Sequence, residues 1–139
     1  MRRLSKIAVA GAFLALGFTL PVTAQIVSGT PMNFTTSFPF YAGNAKMPAG
    51  SYRITASDFD DNELQIQSLD KKYSAFVDFI PTQSEQPHKQ SDVTFHRYGN
   101  TEYLNRIWIQ GQQFGMKVYP TKAELKSTSL MVEHSIAGN

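Results

Sequence analysis

Short runs in which apolar and polar residues alternate, separated by turn residues, make up most of the chain after residue 32. This period-two pattern is typical of strands that bury one face, and it limits the fold more than any other feature of the sequence. The sequence therefore predicts an all-β domain. The apolar positions of the clearest runs are Phe34, Phe38 and Phe40, then Tyr52 and Ile54, then Leu64 and Ile66.

Turn signals predict where the strands reverse. In "MPAG", Pro48 fits position i+1 and Gly50 position i+3 of a type I turn, which predicts a strand from Ser51. Pro39 has no amide donor and predicts a strand end or an edge. Residues 72–80 are apolar at both parities, which predicts a central strand covered on both faces. About seven strands at this short spacing favour an antiparallel β-sandwich or a small barrel.

The C-terminal tail has a different pattern. Thr121 precedes Glu124 by three residues, which is the spacing of an N-terminal capping box. A short helix is therefore expected from about residue 120.

The first residues are typical of an export signal. Arg2, Arg3 and Lys6 precede an uncharged apolar run that ends near Leu20, and we expect cleavage after Ala24. The run is shorter than the roughly 18 to 20 residues of a spanning helix, so no transmembrane anchor is expected after cleavage. The predicted organisation is a signal peptide over residues 1–24, a flexible leader over 25–32 and a single β domain over 33–139.

Charge and composition narrow the class of partner. Three of the thirteen Lys and Arg lie in the predicted signal peptide, so the mature chain has ten basic and eleven acidic residues and a net charge of −1. Nucleic acid is not an expected partner, because binding it requires a basic face that neutralises many phosphates. The chain has no cysteine, which excludes disulfides, thiolate nucleophiles and cysteine-based metal sites.

The densest group of polar aromatic residues lies in "VTFHRYGNTEYLNRIWIQG", residues 93–111. Gly99 and Asn100 stand between two alternating runs and predict a two-residue hairpin loop. Because residues 96 and 97 are neighbours in a strand, they point to opposite faces and are not expected to act as one dyad. The predicted pairs are Arg97 with Glu102, His96 with Tyr103, Phe95 with Leu104 and Val93 with Arg106. One predicted face holds Val93, Phe95, Leu104 and Trp108. The other holds Thr94, His96, Tyr98, Tyr103 and Asn105, continuing into Ile107 and Ile109.

These hairpin residues have a structural and a functional interpretation. As structure, Arg97 and Glu102 form a cross-strand charge pair that contributes about 0.2 to 1 kcal/mol. As function, His96 is an acid, a base or a ligand, or it forms a binding surface with Tyr98 and Tyr103. An aromatic carbohydrate platform of Tyr98, Tyr103 and Trp108 is an alternative to core packing of Trp108. Structural roles are predicted for Pro48, Gly50, Tyr52, Phe95, Arg97, Gly99, Glu102 and Trp108.

Other kinds of site are less well supported by the sequence. His88, His96 and His134 do not have the spacing of metal ligands, so no metal site is expected. "DFDDNE" lacks the glycine and the terminal bidentate glutamate of a calcium loop, which favours a solvated turn. No phosphate loop, nucleophile elbow or metalloprotease motif appears, and no cofactor is expected. The sequence does not exclude a pair of carboxylates for glycoside hydrolysis, because eleven acidic residues are present.

Several of these motifs together resemble a known group of proteins. The matching segments are Phe38 to Asn44, Met47 to Tyr52, Phe95 to Trp108, Gly115, and Thr121 to Glu124. In them the chain resembles uncharacterised small exported β-rich proteins of acidobacterial type, with the pattern PF-x-x-GN, PAG-x-Y and FHRYG(N/D)-x-x-(Y/F)L-x-x-IW. The resemblance implies export and a β-rich domain, and it implies no known activity.

We therefore expect an exported, non-enzymatic β module that binds a partner or serves a structural role in the periplasm or at the cell surface. The partner would be a cell-envelope protein or a carbohydrate. One alternative is a small exported hydrolase or lyase that uses His96. Another is a self-associating envelope module or a carbohydrate-binding module.

Overall fold

The computed structural model describes residues 31–139. The predicted signal peptide and the predicted leader up to residue 30 lie outside the described residues. The described part forms ten strands and one short helix. In chain order they are β1 (Met32–Thr36), β2 (Phe40–Ala42), β3 (Ala45–Met47), β4 (Gly50–Ala56), β5 (Glu63–Ser68), β6 (Ser74–Gln83), β7 (Asp92–Tyr98), β8 (Thr101–Trp108), β9 (Phe114–Val118), α1 (Lys122–Leu125) and β10 (Met131–Ala137).

The ten strands form one open mixed sheet. Its main path runs β1-β4-β5-β6-β9-β8-β2-β3, and β7 joins β8 to β10. The prediction of a purely antiparallel arrangement was wrong, because β2 pairs with β8 in parallel. Strand β9 pairs with β8 only from Arg106 to Trp108. The first half of β8 therefore has a free edge there, and β2 occupies it at Tyr103.

The hairpin of β7 and β8 has the predicted turn, and Gly99 takes the positive φ of 61° that favours glycine. The pairs nearest the turn are those predicted, including His96 with Tyr103 and Phe95 with Leu104. Farther from the turn the predicted register was wrong, because a bulge lies between Thr94 and Phe95, and Thr94 pairs with Arg106. Asn105 is the extra residue on β8. The bulge reverses the parity beyond it, as such an insertion does in a strand.

Because of the bulge, Ile107 and Trp108 lie on the faces opposite to those predicted. Ile107 joins the hydrophobic core, whereas the sequence placed it on the opposite face. Trp108 is 7% exposed but lies outside that core cluster, on the outer face.

The core on the inner face of the sheet contains a group of aromatic rings among aliphatic side chains. Phe34, Phe38 and Phe40 all contact this core, although they do not share one strand, because β1 ends at Thr36 and β2 begins at Phe40. Phe95 lies at its centre, with its ring centroid 5.3 Å from that of Phe40 and 5.2 Å from that of Phe38. Edge-to-face contacts of this kind add about 0.5–1.5 kcal/mol to the burial of each ring.

Strand β6 is not covered on both faces as the sequence predicted. Ala75, Val77 and Phe79 are buried, but Phe76 is 47% exposed and Ile80 is 37% exposed. The pattern of strand positions cannot distinguish an apolar side chain covered by a second layer from one left in solvent. In the described residues no second layer covers this face of β6.

The tail begins as predicted and then differs. Thr121 caps α1, and its Oγ1 accepts a hydrogen bond from the Glu124 amide at 3.2 Å. The helix ends after four residues, and β10 follows, which the sequence did not predict. No helix in residues 31–139 is long and apolar enough to cross a membrane.

Candidate functional site

The predicted site residues His96, Tyr98 and Tyr103 meet on the outer face of β7 and β8. The rings of Tyr98 and Tyr103 touch edge to face with centroids 5.8 Å apart. Tyr41 on β2 stacks on Tyr103 at 5.3 Å. Tyr41 reaches this place through the pairing of β2 with β8, and no local pattern predicts this fourth member.

Helix α1 covers this group with Glu124. The Glu124 carboxylate accepts a long hydrogen bond from the Tyr98 hydroxyl at 3.5 Å and lies 3.8 Å from His96 Nδ1. On the other side of the imidazole, Nε2 lies 3.9 Å from the carboxylate of Glu133 on β10. The side chains of His96 and Glu124 are only 18% and 10% exposed. His96 is therefore largely covered by Glu124 of α1 on one side, whereas Glu133 of β10 on the other side is half exposed.

Burial changes the acidity of both tyrosines in this group. Desolvation, followed by the charge of Glu124, raises the pKa of the Tyr98 hydroxyl above its ordinary value. Desolvation, followed by Tyr41 and Glu124, raises the pKa of Tyr103 in the same way. Both phenols are therefore held protonated, so that Tyr98 acts as a hydrogen-bond donor to Glu124. The arrangement suits an anchor for α1 better than it suits a base or a nucleophile.

The predicted charge pair of Arg97 and Glu102 does not form, although the two residues are opposite in register. Arg97 is exposed, whereas Glu102 is 4% exposed and faces inward. Glu102 Oε1 lies 3.1 Å from Nδ1 of His134 on β10, and the His134 ring lies 4.7 Å from that of Phe38. Glu102 Oε2 is buried without a partner. The sequence missed this pair because β10 was not predicted.

The other residues with predicted structural roles lie in the scaffold. The Tyr52 side chain is buried, and its hydroxyl donates to the carbonyl of Pro48 across the turn before Gly50. Trp108 lies under the loop between β6 and β7, where the His88 ring stacks on it at 4.2 Å with an interplanar angle of 12°. A platform of Tyr98, Tyr103 and Trp108 is therefore not presented to solvent.

The three histidines are in three different environments. His88 is on Trp108, His96 is under α1, and His134 is beside Glu102. Within residues 31–139 no group of three histidine, aspartate or glutamate side chains is placed to hold a metal ion.

Two surface features that the sequence did not single out are better placed to meet a partner. The first, which we call the β6 strip, lies on the outer face of β6 and its surroundings. It consists of Phe59, Phe76, Asp78, Ile80 and Tyr119. The apolar residues at both parities of 72–80 were the sequence signal for this strip. The sequence could not show that Phe76 and Ile80 are left uncovered.

The second feature is a pair of adjoining pockets at the start of β4 and the turn between β5 and β6. The larger has a volume of about 260 Å³ and is lined by Tyr52, Asp70 and Tyr73, among others. The smaller has a volume of about 80 Å³ and is lined by Arg53 and Lys71, among others. Residues far apart in sequence form both pockets, so only the pairing of β4 with β5 brings them together.

Comparisons with known proteins add no relative. No family model matches the chain, and no curated protein or solved structure matches it. The likeness of residues 38–124 to acidobacterial exported proteins therefore stays a prediction.

Proposed function

We propose that the chain is an exported binding module without enzymatic activity, and that it docks a protein of the cell envelope through the β6 strip. The observation that carries this proposal is the exposure of large apolar side chains in one place. Phe59 is 86% exposed and its ring contacts Phe76 edge to face at 6.2 Å. Tyr119 is 53% exposed and its amide donates to the Asp78 carbonyl at 3.2 Å. Clustered exposed apolar groups of this kind mark interaction sites.

The charge around the β6 strip indicates the chemistry of the partner. The turn that carries Phe59 also carries Asp58, Asp60 and Asp61, all exposed, and Asp78 lies in the strip itself. The cation beside the strip, Lys117 opposite Ile80, is half-buried. Glu63 on β5 stands directly opposite Asp78, and like charges in such a pair repel each other. A cationic group from a partner would relieve this repulsion. The proposed partner therefore presents a basic segment with apolar side chains.

The enclosure of His96 favours this function over catalysis. Its imidazole lies between the carboxylates of Glu124 and Glu133, under α1. Only 18% of the His96 side chain is exposed, which limits the access of a substrate. The export signal predicted over residues 1–24 agrees with a partner in the cell envelope. We therefore include export of the chain in the proposed function.

We also infer that the sheet curls into a small barrel. The residues after β10 reach β1, where the Asn33 amide donates to the Asn139 carbonyl at 2.7 Å and the Asn139 amide donates to the Asn33 carbonyl at 3.0 Å. Phe34 and Gly138 form an isolated antiparallel bridge at the same place. Contact between the end of β10 and β1 covers two edges that otherwise promote aggregation, whereas β3 stays an edge strand.

Site-specific photocrosslinking in the source cells tests the proposed function. A photoreactive phenylalanine analogue at position 59 should give a discrete adduct with an envelope protein, and N-terminal sequencing of the exported chain should begin at Gln25. The substitution Phe76→Ser should abolish the adduct. The matched control carries the analogue at Thr35, which is exposed on the outer face of β1, and should give no adduct. Equal adducts from both positions, or none from position 59, would refute the proposal.

A further inference from the structure

The two adjoining pockets share a wall formed by Ser68 and Leu69. Leu69 is 52% exposed at the crest between them, and its amide donates to the Ser51 carbonyl at 3.0 Å, which joins the wall to β4. A ligand that covers Leu69 therefore contacts both pockets at once.

The larger pocket combines an aromatic ring with hydrogen-bonding groups. Tyr73 is 44% exposed there, and Leu69 offers a second apolar surface. Asp70 Oδ1 accepts from the Ser68 hydroxyl at 2.6 Å and from the Lys72 amide at 3.0 Å, so Oδ2 is left for a further donor. The Ser68 hydrogen bond, followed by the Lys72 amide, lowers the pKa of Asp70 and keeps it ionised.

Such a lining matches the two sides of a sugar ring. The C–H face of a pyranose is apolar and lies against an aromatic ring, whereas its hydroxyl groups donate to an ionised carboxylate. The volume of about 260 Å³ is just under the range in which drug-sized ligands bind, so the pocket suits one ring better than several.

The smaller pocket has the opposite charge. Arg53 and Lys71 both line it, together with the Gln67 amide group. Arg53 Nε donates to Asn33 Oδ1 at 3.2 Å, which holds the guanidinium in position on the outer face of β4. Lys71 has a φ of 63° and its amide donates to the Ser68 carbonyl at 2.9 Å, which fixes it in the turn. Guanidinium and ammonium groups placed together bind a carboxylate.

The turn from Ser68 to Tyr73 is organised by the Ser68 side chain. Its Oγ donates to Asp70 and accepts from the Tyr73 amide at 2.9 Å, while the Ser68 amide donates to the Tyr73 carbonyl at 2.8 Å. The two pockets are therefore formed before a ligand arrives, which reduces the entropy lost on binding.

We propose that the paired pockets bind an acidic saccharide, with one sugar ring on Tyr73 and Leu69 beside Asp70 and the carboxylate of the adjoining uronic acid at Arg53 and Lys71. The mature chain carries a net charge of −1, so the two cations attract an anionic polymer locally and the protein as a whole does not. This activity is separate from docking through the β6 strip, because Phe59 follows the far end of β4 from the pockets.

An NMR titration of the mature protein tests the proposal. The probes are digalacturonate and dimannuronate, with galactobiose as a sugar without a carboxylate and acetate as a carboxylate without a ring. We expect saturable shifts at Ser68 to Tyr73 and at Arg53 with at least one diuronate, and a dissociation constant at least about tenfold higher for galactobiose and for acetate.

Variants separate the two pockets. Arg53→Gln and Tyr73→Ala should each weaken diuronate binding by at least about tenfold. Lys71→Asn removes a charge at a position where asparagine tolerates the positive φ, and it should also weaken binding. This variant replaces Arg53→Gln as the test if Arg53→Gln alters the fold. Arg97→Gln, which removes an exposed arginine elsewhere, and Phe59→Ser should leave binding unchanged. Equal binding of acetate, unchanged affinity in Arg53→Gln and Lys71→Asn, or no shift with either diuronate would overturn the proposal.

Discussion

Replacing Gly115 with alanine should destabilise the protein strongly, because the added methyl group has no space. A Cβ at Gly115 would lie 2.5 Å from Cε3 and 2.9 Å from Cζ3 of Trp108, and 2.7 Å from the Ile107 carbonyl oxygen. Non-bonded carbon atoms rest at about 3.5–4.0 Å, so the overlap is about 1 Å. The His88 ring stacks on Trp108 at 4.2 Å, which limits how far the indole can move. The carbonyl belongs to β8, whose Trp108 pairs with Gly115.

To relieve this overlap, β8 and β9 must move apart. The free energy of unfolding should therefore fall by about 3 kcal/mol, the upper end of what overpacked side chains cost. Urea unfolding followed by circular dichroism measures it. With a slope of about 1.5 kcal/mol per molar urea, the midpoint should fall by about 2 M.

Two comparisons show whether the clash is the cause. Gly99→Ala adds a Cβ whose nearest neighbour is Ser129 Oγ at 3.8 Å, so its cost should come from the positive φ alone and amount to about 1 kcal/mol. In a Trp108→Leu background, Gly115→Ala should cost clearly less than in the wild type, because the ring atoms are gone. A loss below about 0.5 kcal/mol for Gly115→Ala, or an equal loss in both backgrounds, would refute this reasoning.

Two further predictions concern the polar clusters. Because the pKa values of Tyr98 and Tyr103 are raised, the folded state holds their protons more tightly than the unfolded state does, and their contribution to stability should be present below pH of about 10 and lost as the pH rises above it. Tyr103→Phe should therefore flatten the alkaline fall in the free energy of unfolding, and an unchanged slope would contradict this. His134→Leu removes the partner of Glu102 Oε1 and should cost about 2 kcal/mol. Glu102→Leu combined with His134→Leu should be more stable than His134→Leu alone, and the opposite order would argue against an unpaired buried carboxylate.

The local features of the fold were predictable where neighbouring residues determine them. The turn at Gly99 needs only positive φ, and the cap at Thr121 needs only a hydroxyl three residues before an amide, so both were predicted. Strand β10 was missed because His134 occupies one of its inward positions and interrupts the apolar alternation. That histidine lies beside Glu102 and on the Phe38 ring, which are near it in space and far from it in sequence.

The candidate sites were less predictable for the same reason. The grouping of His96, Tyr98 and Tyr103 followed from strand pairing, but their enclosure depends on α1 and β10, which cross from elsewhere. The bulge at Asn105 places Ile107 in the core and Trp108 outside it, and Asn105 Nδ2 donates to Thr94 Oγ1 at 3.4 Å at that buried position. A one-residue shift of this kind is decided by the pairing of two strands, and composition does not show it.

The sequence by itself determined that the described chain is a set of short strands with one apolar face, since period-two alternation and turn residues act over a few neighbours. Only the tertiary structure decided which of those faces stay open. The His96 face is closed by segments more than 20 residues away in the chain, whereas Phe76 and the pockets at Leu69 remain exposed. Exposure is a property of what lies across space from a side chain, and for this protein it separates scaffold from binding surface.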